Sequence, residues 1–250
     1  MMKRDVGGEY TSSLLAHFVG WATRDRSDHE ETDYGTLARI LGGGCLSSRA
    51  ANALHYRCNE GSVGLMVNRN VAFTSDSLFV QSCVCFCDIP HGALGVHVSK
   101  YGKFGLAFEK HFLVPKGASP AFYVATDSLG IVDKARGEYF NERIRDYFAL
   151  KDLVEGNRER LRSGSPTREI VERFENVVSF LDFTVLGLLK PFDSGLPDAD
   201  RQNVYMEREW RILGDVSFEL ADVAAVYGPA NYVEKIEREF PDLVGKVRPA

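Results

Sequence analysis

The sequence predicts an α+β protein with a mainly antiparallel sheet and an inserted helical hairpin. Short segments rich in Val, Phe and Tyr, bounded by Gly or Pro, occur before residue 130 and again after residue 205. Between them, over residues 138–190, apolar positions recur at helical spacing. The glycines at 42–44 follow a predicted helix instead of joining a strand to one, which argues against a Rossmann sheet.

The first half of the chain alternates strands and short helices. LLAHFV at 14–19 predicts a strand, and TLARILGGG at 36–44 predicts a helix closed by glycines. Residues 45–77 have a weak pattern, typical of an irregular binding loop. A short helix is predicted through His97, and three further strands are predicted from FVQSCVCFC (79–87), FGLAFEK (104–110) and PAFYVAT (120–126).

The second half begins with the hairpin, whose two helices are predicted at 138–162 and 167–190 with the hinge SGSP between them. The hairpin is predicted to cap a cleft or to recruit a partner. The remaining predicted elements are strands MEREWRIL (206–213) and ADVAAVYGP (221–229), helix NYVEKIEREF (231–240) and a short tail strand. We therefore expect one α+β domain over residues 1–250, with residues 138–190 as the inserted hairpin.

Composition restricts the classes of function. The chain has 250 residues and a formal net charge of −5. No apolar run reaches the roughly 20 residues that span a bilayer, and the N-terminus lacks the apolar core of a signal peptide, so we expect a cytoplasmic protein with no membrane partner. The acidic balance argues against a broad basic surface for duplex nucleic acid, although it leaves a local basic patch open.

Three cysteines alternate in CVCFC, and they allow three interpretations: half of a metal site, a redox centre, or small apolar residues. Because side chains alternate along a strand, Cys83, Cys85 and Cys87 share one face. No second CxxC or HxxxH pair completes a zinc site. The sequence therefore favours buried thiols in a core strand without metal.

Two carboxylates, Glu207 and Glu209, lie two residues apart in a predicted strand and would project from one face. Like charges repel, so one of them needs a partner or a chemical task. One interpretation is a solvent-facing pair neutralised by Arg208 or Arg211. The other is that Glu209 is a catalytic carboxylate that stabilises an oxocarbenium ion or activates a nucleophile, as glutamates do at glycosidic bonds.

Two histidines and a tyrosine are further candidates. His17 lies inside an apolar strand, where a lone histidine is either a hydrogen-bonded core residue or a ligand contact. His97 is flanked by valines in a helix and allows the same two interpretations. Tyr101 stands at the end of that helix, where a phenol can reach into a cleft.

The run HFV, TLARILGGGCL, VCFCDIP, HVSKYGKFGLAFEK, GASPAFYV and EREWRIL resembles the AbiGi family of bacterial abortive phage-infection proteins. This resemblance covers most of the chain except the hairpin. The family has been regarded as the antitoxin side of a two-component defence system, which need not be catalytic. More loosely, the same succession is similar to DarT-like ADP-ribosyltransferases, in which a late strand carries the catalytic glutamate.

The transferase resemblance implies an ADP-ribosyltransferase-like split sheet that cradles NAD as a substrate, without a metal. It implies that His17 contacts the nicotinamide ribose and that Tyr101, or a residue near it such as His97, stacks on the nicotinamide. An NAD-binding arginine is expected at Arg49, with Arg57 and Arg69 as alternatives. Glu209 would be the catalytic glutamate, and Glu207 would complete an ExE spacing.

Three functions are consistent with these residues. The first is an NAD-dependent ADP-ribosyltransferase in phage defence, acting on nucleic acid or on a protein target. The second is a noncatalytic antitoxin or sensor that binds a cognate toxin, and the third is a hydrolase that consumes NAD. The ExE pair and His17 favour the first or the third, whereas the hairpin and the acidic balance favour the second.

Overall fold

The computed structural model describes residues 12–20, 29–48, 65–67, 79–129, 134–163, 165–197, 200 and 202–250. The chain divides into two compact units: unit 1 comprises residues 1–49, 82–120 and 204–250, and unit 2 comprises residues 50–81 and 121–203. No helix within the described ranges is long and apolar enough to cross a membrane. A cytoplasmic location stays a prediction.

The α-helices of the described residues are α1 (His29–Gly43), α2 (Gly95–Tyr101), α3 (Lys110–Leu113), α4 (Arg136–Gly156), α5 (Arg158–Arg162), α6 (Ser165–Phe180) and α7 (Val233–Glu239). The strands are β1 (Leu14–Phe18), β2 (Cys45–Leu46), β3 (Leu65–Val67), β4 (Phe79–Gln81), β5 (Cys83–Cys87), β6 (Gly105–Glu109), β7 (Ser119–Pro120), β8 (Phe122–Ala125), β9 (Leu189–Phe192), β10 (Glu209–Leu213), β11 (Val216–Ser217), β12 (Val223–Gly228) and β13 (Val247–Pro249).

Unit 1 is built on a seven-stranded sheet in the order β13-β12-β6-β1-β5-β10-β7. All neighbouring strands are antiparallel except β12 and β13, which are parallel. The mixed α+β class with a mainly antiparallel sheet is therefore confirmed. Strands β1, β5, β6, β10 and β12 lie within segments that the sequence predicts as strands, because apolar and aromatic side chains fit the pleated surface of a sheet.

The two faces of this sheet have different side chains. One face carries large apolar residues, including Leu15, Phe86 and Phe108, and packs against Tyr34, Leu37 and Leu41 of α1. The opposite face carries a row of small residues on adjacent strands, in which Ala16 pairs with Ala107 and with Cys87, and Ala107 pairs with Ala225. Small side chains let α2 approach this second face closely, so Leu94, Val98 and Tyr101 pack on it.

Glycines fix the end of α2 against the end of β1. Gly102 follows α2 with φ of 90°, a conformation that side chains disfavour. The Gly20 amide donates a hydrogen bond to the carbonyl oxygen of Tyr101, at 2.8 Å. A Cβ at Gly20 would lie 2.6 Å from that oxygen and 2.8 Å from the Cα of Gly102. The backbones therefore approach as closely as glycine alone permits.

Unit 2 contains helices α4, α5 and α6, in the region where the sequence predicts the hairpin. A buried apolar cluster of unit 2 comprises Ile144, Phe148, Leu186 and Leu189. The buried Asp182 joins the two arms by accepting hydrogen bonds from Tyr147 Oη at 2.8 Å and Lys151 Nζ at 2.6 Å.

Several predicted boundaries were wrong. The second hairpin helix continues beyond Phe180 as a π-helical turn (Leu181–Val185) and a 3₁₀ turn (Leu186–Leu188), so the prediction fails only at its end. There Leu189–Phe192 forms a strand, because it pairs in parallel with β8, a nonlocal partner that periodicity does not reveal. Helix α1 begins at His29 and not at residue 36 as predicted. Its first turn is charged, which hides it from an apolar pattern, but the following turn contains the buried Tyr34. The strand predicted at 206–213 begins only at Glu209, and FVQSCVCFC is broken at Ser82. The stretch predicted to be irregular contains β2 and β3.

Replacing Gly20 with Ala should destabilise the protein by about 1–3 kcal/mol, because the new methyl group meets backbone atoms that cannot rotate away. Gly43→Ala is the matched control, since a Cβ there meets nothing within 4 Å. The control should leave the free energy of unfolding unchanged or raise it slightly. Urea unfolding of both variants measures the difference, and equal stabilities would contradict the proposed close approach.

Candidate functional site

The predicted catalytic glutamates lie in unit 1, where the end of α2 meets the start of β10. We call the five residues there the carboxylate cluster: Lys100, Tyr101, Glu207, Glu209 and Arg211. Glu209 pairs directly with Cys87 in the sheet, so its side chain shares a face with Cys87 and Ala16. The row of small residues under α2 therefore ends at the Glu209 carboxylate.

Glu207 does not share a strand with Glu209, so the predicted arrangement of both on one strand face was wrong. Val204–Glu207 is a 3₁₀ turn, and β10 begins two residues later. Arg208 between them has φ of 45°, in the left-handed region that residues other than glycine rarely adopt. Its carbonyl oxygen accepts a hydrogen bond from the Asp88 amide at 3.1 Å.

Lys100 and Tyr101 at the end of α2 both contact Glu207. The Lys100 ammonium forms a salt bridge with Glu207 Oε1, and the Tyr101 hydroxyl donates a hydrogen bond to the same oxygen. Lys100 and Glu207 are each 6% exposed. Burial and the negative charge of Glu207 raise the pKa of Tyr101, so the phenol keeps its proton and remains a donor.

Glu209 forms an ion pair with Arg211, two residues along the same strand face. Arg211 Nε lies 2.6 Å from Oε1, and Nη2 lies 3.4 Å from Oε2. Burial disfavours the guanidinium charge, but attraction to Glu209 outweighs it and raises the pKa of Arg211. Neutralisation by Arg211 was one sequence-based interpretation, and it is confirmed. The accompanying expectation of solvent exposure was wrong, because Glu209 is only 4% exposed.

A third buried carboxylate, Asp88, lies directly after β5. It accepts a hydrogen bond from Lys110 Nζ at 2.8 Å and another from the Ser12 amide at 3.1 Å. The sequence did not indicate that Lys100 and Asp88 form buried polar contacts. Lys100 resembles an ordinary helix-surface residue, and its partner Glu207 is 107 positions away.

His17 lies on the opposite face of the sheet from Glu209. It neighbours Ala16 in β1 and pairs with Leu106, and both Leu106 and the ring neighbour Phe86 belong to the large-residue face. The transferase resemblance would place His17 opposite Glu209 across a cleft, and this arrangement is wrong because strand alternation puts the two side chains on different faces. His17 Nδ1 instead donates to the Cys85 carbonyl oxygen at 2.8 Å, and burial lowers its pKa.

Of the remaining predicted site residues, His97 lies beside the carboxylate cluster and Arg49 is not among the described residues. The His97 ring lies 4.5 Å from the Tyr101 ring and 5.2 Å from Phe18, measured between centroids. His97 is therefore joined to the carboxylate cluster through Tyr101. Arg49 lies outside the described residues. The structure thus brings together Glu207, Glu209, Tyr101 and His97, and it separates His17 from them.

The three alternating cysteines form strand β5, as predicted, but they are unequally buried. Cys87 is buried, Cys83 is half-buried and Cys85 is exposed. The expectation of three buried thiols was therefore wrong for Cys85. In the part of the chain that the structure describes, no group of three or more His, Cys, Asp and Glu side chains is arranged to hold a metal.

A protein-family model described as "Putative abortive phage resistance protein AbiGi, antitoxin" matches residues 54–239. The chain belongs to the AbiGi family. The match includes the hairpin at 138–190, which the sequence-based resemblance to AbiGi had left out. No curated protein and no solved structure matches the chain. The similarity to DarT-like transferases finds no support in these comparisons.

Removing the partner of Glu209 should destabilise this AbiGi protein strongly. Arg211→Met leaves a buried carboxylate without its guanidinium, which typically costs about 3–5 kcal/mol. Lys103→Met removes the exposed pair with Glu30, at 2.9 Å, and should cost less than about 1 kcal/mol. Urea unfolding compares the two variants. If both variants lose the same unfolding free energy, the buried Arg211–Glu209 pair contributes no more to stability than the exposed pair does.

Acid should weaken the fold through His17. The unfolded chain has an imidazole pKa near about 6.5, whereas burial lowers the pKa in the folded chain. The unfolded state therefore binds the proton more readily, and stability falls as the pH drops from about 6.5 toward the folded pKa. His17→Asn should reduce this pH dependence of the unfolding free energy, which urea unfolding at a series of pH values measures. An unchanged slope in His17→Asn would contradict the assignment.

Proposed function

We propose that this AbiGi protein is a noncatalytic antitoxin that binds and neutralises a cognate toxin protein in phage defence. The family description supports an antitoxin role. The state of the carboxylate cluster also supports a role other than catalysis. Glu207 and Glu209 are buried and held by Lys100, Tyr101 and Arg211, which leaves their oxygens little access to a substrate.

The observation that carries this proposal is an exposed apolar surface on the hairpin. Ile170, Val177 and Phe180 of α6, which we call the α6 stripe, are 65%, 54% and 56% exposed. Their spacing of seven and three residues places them on one side of the helix. Val171, on another side, is 2% exposed and packs inward. An apolar stripe of this kind is typical of a protein-binding surface.

Charged pairs on α6 favour a protein partner over nucleic acid. Arg173 contacts Glu169 at 2.7 Å beside the α6 stripe, and Arg168 contacts Glu172 at 3.0 Å on another side of the helix. Each arginine is thus compensated by a neighbouring glutamate, whereas phosphate binding requires a surplus of positive charge. An apolar centre with a polar rim is the usual arrangement of a protein–protein interface.

ADP-ribosyl transfer from NAD is less well supported by this geometry. A catalytic glutamate must approach the cationic ribose as it forms, but Glu209 is buried against Arg211. His17, the expected ribose contact, projects from the other face of the sheet. The transferase function, its nucleic-acid or protein target and its use of NAD stay predictions.

Co-expression with the cognate toxin tests the proposal. The wild-type chain should restore bacterial growth, and the double variant Ile170→Asp with Val177→Asp should lose this protection. Charges placed in the centre of an interface typically cost more than about 2 kcal/mol of binding, which corresponds to roughly a thirtyfold weaker complex. Titration calorimetry on the purified proteins would measure that change.

Val244→Asp is the matched control, because Val244 is 63% exposed but lies in unit 1. It should neutralise the toxin as the wild type does. Circular dichroism should show that all variants are folded. The proposal is wrong if the α6 stripe variant still neutralises the toxin, or if the purified wild-type chain releases nicotinamide from labelled NAD in a reaction that Glu209→Gln abolishes.

A further inference from the structure

We propose that Cys83 and Cys85 form a redox-sensitive dithiol that closes to a reversible disulfide by exchange with a small-molecule disulfide such as oxidised glutathione. The proposal is independent of the antitoxin function. It rests on the position, separation and unequal exposure of the thiols on β5.

The two thiols are close enough to react with each other. Both project from the same face of β5, and their Sγ atoms lie 3.7 Å apart. Residues two apart in a strand have Cα atoms about 6.6 Å apart, given a rise of about 3.3 Å per residue. That separation lies near the upper limit for a disulfide, about 6.8 Å, and the bond also requires Cβ atoms within about 4.5 Å of each other. The bond therefore forms only when β5 bends locally between the two cysteines.

Unequal exposure assigns a role to each thiol. Cys85 is exposed, so a small disulfide in solution can reach its sulfur. Cys83 is half-buried and directly adjacent, which suits it to the second, intramolecular step. Cys87 is on the same face but buried, and should not react. Accessibility and a neighbouring second cysteine are two features of redox-sensitive cysteines; Cys85 lacks the third, a lowered pKa.

The chemistry balances in two exchange steps. The Cys85 thiolate attacks one sulfur of oxidised glutathione, forming a mixed disulfide and releasing one glutathione thiolate. The Cys83 thiolate then attacks the Cys85 sulfur, forming the Cys83–Cys85 disulfide and releasing the second glutathione thiolate. The two cysteines lose two protons and two electrons in total, and one glutathione disulfide is reduced to two glutathione thiols.

The surroundings of Cys85 determine the pH at which exchange is fast. The hydrogen bond with Cys83 and the negative charge of Glu209 raise the pKa of Cys85, while Arg211 acts in the opposite sense. Tyr101 also lies within electrostatic range, and His17 binds the Cys85 carbonyl oxygen. Because the thiolate is the attacking species, exchange should be slow near pH 7 and should accelerate about tenfold for each pH unit.

The disulfide would form beside the carboxylate cluster. Cys85 pairs with Arg211 and Cys83 pairs with Leu213 in the ladder between β5 and β10. Drawing the two sulfurs together would strain β5 next to the Glu209–Arg211 pair. A strained disulfide is easily reduced, so we expect a reversible modification instead of a permanent crosslink.

The experiment exposes the full-length protein to oxidised glutathione at pH 7, 8 and 9, followed by acid quenching, thiol alkylation and peptide mass spectrometry. We expect a Cys83–Cys85 disulfide that forms faster at higher pH and is reversed by reduced glutathione. Cys83→Ser should stop at a glutathione adduct on Cys85, and Cys85→Ser should remove both products. Cys45→Ser, at a half-buried thiol elsewhere in unit 1, should leave oxidation unchanged.

Three results would overturn the proposal. The first is that Cys85 in the wild-type protein remains an alkylatable thiol after oxidation at pH 9. The second is that the wild type accumulates the glutathione adduct without closing to the disulfide. The third is that Cys85 pairs with a different cysteine, such as Cys58. Because each result is read from the wild-type protein, the conclusion does not depend on whether the variants fold.

Discussion

The contact of Glu207 with Lys100 and Tyr101 is the interaction on which the architecture of unit 1 depends. A buried carboxylate requires a compensating charge and hydrogen-bond donors, and the end of α2 supplies both. These contacts with Glu207 hold α2 over the row of small residues on the sheet, where a helix can approach closely. The glycine contact between Gly20 and Gly102 then follows, because the chain must pass directly from the end of α2 into the sheet.

The same pairing explains why paired carboxylates in the sequence do not by themselves indicate an active site. Their spacing suggests catalysis only if one oxygen remains accessible, and here Glu209 is bound to Arg211 while Glu207 is bound to α2. Membership of the AbiGi family, described as antitoxin, agrees with a protein that acts by binding. In the function proposed above, the exposed apolar residues of α6 contact the toxin.

Local signals predicted the strands and the hairpin, because β-branched and aromatic runs and helical periodicity are properties of neighbouring residues. They also offered Arg211 as one of two possible partners of the glutamates, and alternation does place Glu209 and Arg211 on one face. The Lys100–Glu207 contact could not be predicted, because it joins residues 107 positions apart. The face that His17 occupies relative to Glu209 depends on the register among β1, β5 and β10, which neighbouring residues do not reveal. The separation of Glu207 from the strand of Glu209 depends on the left-handed backbone of Arg208, which the sequence does not indicate either.

The most direct test of the central claim is a double-mutant cycle on Lys100 and Glu207. The free energies of unfolding of Lys100→Met, Glu207→Gln and the double variant would be measured by urea denaturation. If the buried pair holds α2 on the sheet, removing both charges should cost less than the sum of the single changes, with a coupling energy of about 2 kcal/mol or more. Additive losses would contradict the account, because they would mean that the two residues act independently.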